Sequence, residues 1–403
     1  MRVASPQTGS PGGEVDSTRG WIVTAGAALS MFTVFGVGYS FGAFFDSITE
    51  EFGSGSGATA VVFGITISLS FLLSPFTGAL SDRIGPRPVV WMGAASLAAG
   101  LLLITVVPNI WLAYACYGVG VGIAIACGYV PMVAIVGGWF ERQRALALGV
   151  AVAGIGLGTL VASPLAAALI DATTWRTAFV TFAIAGAALL LISSFIVTPG
   201  PASEPAPARR PLGELWALTD FRILYLSMVS TSFGLFVPFV FIAPYAEDQG
   251  NSPFASALLV GIIGGASIVG RLAIGGIAGR VGPARLFRGS FLVMAASQLV
   301  WLVGGSSYAL LVIFVIIFGA SYGGFIALSP AVAADRFGLK GLGGVIGTWY
   351  TAAAFGALFG PFIAGSLLDA IDYWAAIVFG AAAALVGWVL LRGLDREPAG
   401  TAS

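Results

Sequence analysis

The chain has 403 residues, 58% of them hydrophobic, 9% charged, and a net charge of zero. A soluble domain carries roughly 25% charged residues, and a mean hydropathy of +0.97 leaves no polar surface to clothe one, so lipid must be the solvent for most of the chain. The balance of charge gives no case for nucleic acid. The absence of His removes the usual pH-switching side chain and the commonest metal ligand, and no metal or cofactor is expected. No nucleotide loop, metal cluster or nucleophile–base pair is present, so catalytic residues and an enzyme are not expected either.

The N-terminal segment 1–19 is rich in Gly, Ser and Pro and lacks the apolar region of a signal peptide; it reads as a short cytoplasmic tail. A spanning helix needs about 20 mostly apolar residues. Twelve stretches qualify: 21–45, 58–81, 89–107, 110–139, 145–170, 177–197, 221–245, 254–279, 289–305, 307–334, 341–368 and 373–391. Cys116 and Cys127 both fall in the fourth, eleven residues apart; that is about 16 Å along a helix, too far to pair. The Gly-rich fourth, eighth and eleventh stretches imply close helix packing. The longest polar interval, 198–220, reads "TPGPASEPAPARRPLGELWALTD" and forms a linker. It divides the chain into an N-terminal bundle (20–197) and a C-terminal bundle (221–392), followed by a tail (393–403).

Charge partition tests this count. With a cytoplasmic N-terminus, 16 of the 18 basic residues fall on the inner side. Only Arg176 lies outside, and Arg271 lies within a helix. The outer loops carry Asp46, Glu50, Glu51, Asp171, Glu247, Asp248, Asp369 and Asp372. A wrong count would scramble this partition. The expected location is a plasma membrane, with both termini cytoplasmic.

The halves repeat at an offset near 197 residues. Leu29–Met31 "LSM" recurs at Leu226–Met228, Arg83–Pro86 "RIGP" recurs as Arg280–Pro283 "RVGP", Pro164 matches Pro361, and Asp171 matches Asp369 within a residue. Parallel six-helix repeats build one large class of transporters. The stretch "GALSDRIGPRPVV" (Gly78–Val90) resembles the helix 2–3 loop signature of the major facilitator superfamily, with "GGIAGRVGPARLF" (Gly275–Phe287) its second-half counterpart. A narrower resemblance, to monocarboxylate transporters and their oxalate/formate antiporter relatives, comes from three stretches. These are "GWFERQRALALGVAVAGIGLG" (Gly138–Gly158), the first helix from Arg19 to Phe45, and "GTWYTAAAFGALFGP" (Gly347–Pro361). The resemblance implies an all-α membrane protein of twelve helices in two pseudo-symmetric six-helix bundles, working as a monomer by alternating access.

Arg271 lies nine residues before Arg280, a rise of roughly 13.5 Å. An Arg at that depth costs at least about 2.5 kcal/mol on insertion scales and marks a cavity or a partner. No carboxylate shares its depth, so an anionic substrate is the natural counter-charge; a guanidinium fork binds a carboxylate with two parallel hydrogen bonds. The resemblance points the same way, because the related transporters use an Arg at this place. Three departures sharpen the substrate. Ala353 stands where the oxalate relatives carry Lys, and Ser267 and Tyr39 stand where mammalian monocarboxylate transporters carry Asp and Lys. One cation suits a monoanion, and the expectation is proton-coupled carriage of a small monocarboxylate, the proton travelling with the acid. An organic-anion or dicarboxylate antiporter is the alternative. Tyr39, Tyr129, Tyr322 and Tyr350 lie on helices expected to line the cavity, Ser267 and Ser232 can add hydroxyls, and Phe41, Phe236, Trp349 and Phe355 an apolar wall; helix packing accounts for any one of these equally. By the same resemblance Gly78, Asp82, Arg83, Gly85 and Arg87 belong to a gating lock, helped by Glu141, Arg142 and Arg144. Gly279 replaces the acid in the second copy, so one half carries the full lock.

Overall fold

The computed structural model describes residues 15–201, 212–338 and 342–395. The expected tails therefore lie largely outside the described residues, as do the middle of the linker and Lys340. Among the described residues there is no strand, and twelve helices are long and apolar enough to cross a membrane. In chain order they are α1 (Thr18–Phe52), α2 (Ser56–Ile84), α3 (Pro86–Leu103), α4 (Ile110–Trp139), α5 (Arg144–Ala172), α6 (Trp175–Ile196), α7 (Thr219–Asp248), α8 (Pro253–Val281), α9 (Pro283–Gly304), α10 (Tyr308–Phe337), α11 (Leu342–Ala370) and α12 (Tyr373–Leu391). Within the expected linker the chain forms a short helix, Leu212–Ala217. Helix α9 begins six residues earlier than its hydropathy implies, because Pro283 starts a helix after Gly282.

The packing repeats between halves. In the first, α1 packs on α5 and α6, α2 and α3 on α4, and α3 on α6; the second repeats every one of these with α7 to α12. The repeat reaches single residues. Gly85 and Gly282 close α2 and α8 at φ of +84° and +98°, and each is followed by a Pro in the first turn of the next helix. Positive φ costs other L-residues about 1–2 kcal/mol, while Pro presets the helical φ at a position whose N–H has no intrahelical partner.

Helices α1 and α7 are both interrupted, at Ser40 and Phe236, corresponding points of the two halves. The causes differ. Pro238 has no N–H to give the carbonyl of Gly234, and Gln298 Nε2 donates to it instead at 3.4 Å. At the first break, the Val37 carbonyl accepts from Ser40 Oγ at 2.8 Å and from the Tyr117 hydroxyl at 3.3 Å. Tyr117 sits in a π-helical turn, Tyr114–Gly118, that aims it there.

Call the side bearing the described chain ends the terminal face and the other the far face. The halves meet along α2–α11, α5–α8 and the outer segments of α1 and α7. The glycines that bring backbones of opposite halves together, Gly42, Gly57, Gly64, Gly156, Gly261, Gly264 and Gly365, lie at mid-depth or toward the far face. Towards the terminal face, α8 is exposed from Leu272 on, Ile274 and Ala278 excepted, and Gly276, Gly279 and Gly347 have open space where a Cβ would stand. The molecule is closed on the far face, and its halves part towards the terminal one.

Candidate functional site

The site stands where the halves stop touching. Arg271, on α8, is 9% exposed and donates from Nη1 to the carbonyl of Val152 on α5 at 2.7 Å, a bond across the two halves. Its Nε and Nη2 are buried and have no partner among the described residues. These two nitrogens form one edge of the guanidinium fork, the edge that accepts a carboxylate with two parallel bonds. Burying unmet donors is costly, and two on one ionised group call for an occupant. Within the described spans every other charged side chain lies within about two turns of a helix end or break.

The structure gathers all four predicted tyrosines around this charge. Arg271 acts electrostatically on Tyr39 of α1, Tyr129 of α4, Tyr322 of α10 and Tyr350 of α11. The hydroxyls of Tyr39 and Tyr322 bond to each other across the halves at 3.2 Å. Phe35 packs edge-on against Tyr129 at 5.3 Å, and Phe71 against Tyr350 at 6.4 Å. Chemically the arrangement is one free cationic edge that acts on four phenols, two of them bonded to each other, in a space closed on one side.

Two expectations need correction. Phe355 is 49% exposed and shares an outward stripe of α11 with Phe359 and Phe362; it faces the bilayer, because the opposite stripe, Tyr350, Ala353, Ala354 and Ala357, is the one turned inward. Ser267 is buried, but its hydroxyl donates to the Gly264 carbonyl of its own helix at 2.7 Å, not to the cluster. The other readings divide. Ser232 Oγ is buried without a hydrogen-bond partner among the described residues. Phe41, Phe236 and Trp349 are fully buried packing residues. Sequence reasoning missed Phe239, which stacks on Tyr39 at 4.5 Å and meets Tyr322 edge-on at 5.6 Å; the signal was Pro238 beside it.

The gating residues lie apart, at the terminal face. Gly78 packs against Val130 of α4, and Gly85 makes the turn. Asp82, Arg83, Arg87, Glu141 and the side chain of Arg142 are exposed and form no ion pair among the described residues. The amide N–H groups of Arg142 and Gln143, which open α5, donate instead to the carboxylate of Asp16 at 3.2 Å each. Slight desolvation would raise the Asp16 carboxyl, but these amides and the Arg142 charge outweigh it and hold it below the usual range.

Comparison with known proteins shows the family. The profile of the Major Facilitator Superfamily matches residues 27–305 and, again, 224–403. Monocarboxylate transporter 3 of Rattus norvegicus is 31% identical over 400 residues, which cover 94% of this chain and 80% of that protein. Monocarboxylate transporter 11 of Homo sapiens is 30% identical over 97% of this chain and 87% of its own. Among solved structures, a bacterial homolog of the human lysosomal transporter Spinster, in an inward-facing and unoccupied conformation, superposes with a TM-score of 0.76. It covers 96% of this chain and 100% of that one at 14% identity.

Proposed function

The chain belongs to the Major Facilitator Superfamily, within its monocarboxylate transporter group, and from that premise we propose that it carries small monocarboxylates across a plasma membrane by alternating access. The observation that carries this reading is the free Nε–Nη2 edge of Arg271. The acid's two oxygens take that edge while Nη1 keeps its bond to Val152, so binding does not have to break the contact between halves. The names of the relatives support a monocarboxylate, and the single mid-membrane cation among the described residues supports a monoanion: a dianion would leave one charge unpaired where charge is expensive.

The charge partition supports a cytoplasmic terminal face, which makes this conformation inward-open. The lock of Gly78, Asp82, Arg83, Gly85 and Arg87 then belongs to the opposite state, in which the halves close on that face; the exposure of its charged groups here suits a lock released. With no His in the chain and no carboxylate at the depth of Arg271 among the described residues, the coupled proton travels with the acid. The carrier works as a monomer.

The test is uptake into proteoliposomes of lactate and pyruvate against oxalate, at two proton gradients, by wild type, Arg271→Lys and Arg271→Ala. Lys keeps the charge and loses the fork. A hydrogen bond to a charged group is worth about 1.5–3 kcal/mol, so Lys should weaken half-saturation roughly 10- to 100-fold and Ala should abolish uptake. Full uptake by Arg271→Ala refutes the site; preference for oxalate over lactate in wild type establishes the antiporter instead.

A further inference from the structure

The residues around Arg271 are graded in depth. Arg271, Tyr129 and Tyr350 lie ten, ten and eight residues from the terminal ends of α8, α4 and α11, about 12–15 Å along the axis. Tyr322 lies fifteen residues in, and Tyr39 and Phe239 twenty-one and twenty, about 22 and 30 Å. A carboxylate on Arg271 therefore has phenols at its own level and an aromatic barrier beyond it. In that barrier the hydroxyls of Tyr39 and Tyr322 are engaged with each other, and the ring of Phe239 lies flat on Tyr39, 20° from parallel, and is 1% exposed.

The barrier cannot retreat. Phe239 is one residue past Pro238, in the first turn after the break in α7. Its carbonyl presses so close to α1 that a Cβ on Gly42 would stand 2.9 Å from it. Phe318 of α10 meets the ring edge-on at 6.3 Å. Packed interiors do not yield to an extra methylene without strain.

We propose that Phe239 is the length stop of the substrate site: the carbon chain of a monocarboxylate held by Arg271 runs toward the far face and ends against the Phe239–Tyr39 stack. The proposal rests on the carboxylate reading of Arg271. It assigns the role to Phe239 rather than Tyr39 because Phe239 makes no hydrogen bond between the halves, so trimming it changes the space and leaves the Tyr39–Tyr322 bridge in place. It also bears on the tail: apolar and unbranched fits, and a second charge at the far end meets no counter-charge among the described residues.

The experiment measures inhibition of labelled lactate uptake into proteoliposomes by straight-chain acids from acetate to octanoate. Wild type, Phe239→Leu, Phe239→Ala and, as a control on the lipid face, Phe355→Ala are compared. In wild type, inhibition should stop improving at a short chain length. Phe239→Ala removes six ring carbons and should move that cut-off outward by about three methylenes, each improving half-inhibition about fourfold. Phe239→Leu should move it by about one, and Phe355→Ala not at all. A variant at Phe239 that takes up lactate with an unmoved cut-off overturns the proposal. If Phe239→Ala does not insert, Phe239→Leu decides on the same terms. If wild type takes up no carboxylate, the reading of Arg271 fails and this inference with it; if it does and only the cut-off stays put, this inference alone fails.

Discussion

Replacing Asp369 by Asn should loosen the far-face closure, and the structure gives the size of the effect. Asp369 ends α11, and its two carboxylate oxygens accept from the amides of Ser56 and Gly57 at 3.0 and 3.2 Å. These are unpaired donors of the first turn of α2, on the opposite half. The residue before that turn, Gly55, offers no side chain to cap it, so the cap is supplied across the interface. Asn keeps one oxygen to accept, but its NH2 cannot accept from the second amide; one hydrogen bond is worth a net of about 0.5–1.5 kcal/mol, and exposure of Asp369 favours about 1. Because the bond exists only when α2 and α11 touch, its loss shifts the balance between conformations by about fivefold. Ser68 reports the shift: it is buried at the seam, and its hydroxyl donates to the Ala354 carbonyl at 2.6 Å. In a background free of Cys116 and Cys127, Ser68→Cys should be labelled about five times faster by a membrane-impermeant maleimide from the far face when Asp369→Asn is added. Asp171, its counterpart in the first half, makes no such bond among the described residues, and Ser252 caps α8 from within its own chain segment; Asp171→Asn should leave labelling unchanged. Equal effects of the two substitutions, or less than a twofold change with Asp369→Asn, refute the reasoning.

Gly156→Ala should prise α5 from α8, since its Cβ would meet the Gly264 carbonyl at 2.5 Å; overpacking costs about 1–3 kcal/mol, read as a lower thermal midpoint than Gly276→Ala, where the space is open. Asp16→Ala should lower the midpoint at neutral pH. Because the folded carboxyl is held below its ordinary value, its contribution is complete above the unfolded pKa and is lost as pH falls through the folded one, so the gap to wild type should close on acidification below the usual carboxylate range. Ala353→Lys, on the inward stripe of α11, should cost at least about 2.5 kcal/mol of membrane stability that oxalate restores in a thermal-shift measurement and lactate does not; equal rescue by both refutes the monoanion argument.

The span count was legible because lipid enforces it: with few charges to place, hydropathy and the asymmetry of Arg leave one solution. Arg271 was legible for the same reason, being the cation that neither side could claim. The four tyrosines were identified from helix number alone, and the structure gathers them because equivalent helices of the two halves line one axis. Phe355 was misjudged by the same logic, since helix number does not say which stripe of α11 faces inward; at 100° per residue, five positions beyond Tyr350 is nearly the opposite side. Phe239 and the breaks at Ser40 and Phe236 were hidden for another reason. At Phe236 a proline in an apolar run does not tell whether the helix bends or stops, at Ser40 no proline marks the break, and a stacked Phe looks like any other.

On the proposed reading, those breaks let one cation serve both binding and motion. Intact α1 and α7 would transmit any tilt of their inner segments to their outer ones. Interrupted at corresponding points, with outer segments packed on each other, they let the far-face closure act as a separate body resting on the Tyr39–Phe239–Tyr322 stack. Arg271 stands on the other side of that stack, tied to the first half by Nη1 alone. A carboxylate on its free edge neutralises a charge that would otherwise have to be carried, unpaired, through every change of access. The empty carrier bears that cost on each return, the loaded one does not, and the difference favours crossing with substrate over crossing without it. Exchange of labelled lactate by the wild type should therefore outpace its net efflux, and equal rates refute the argument.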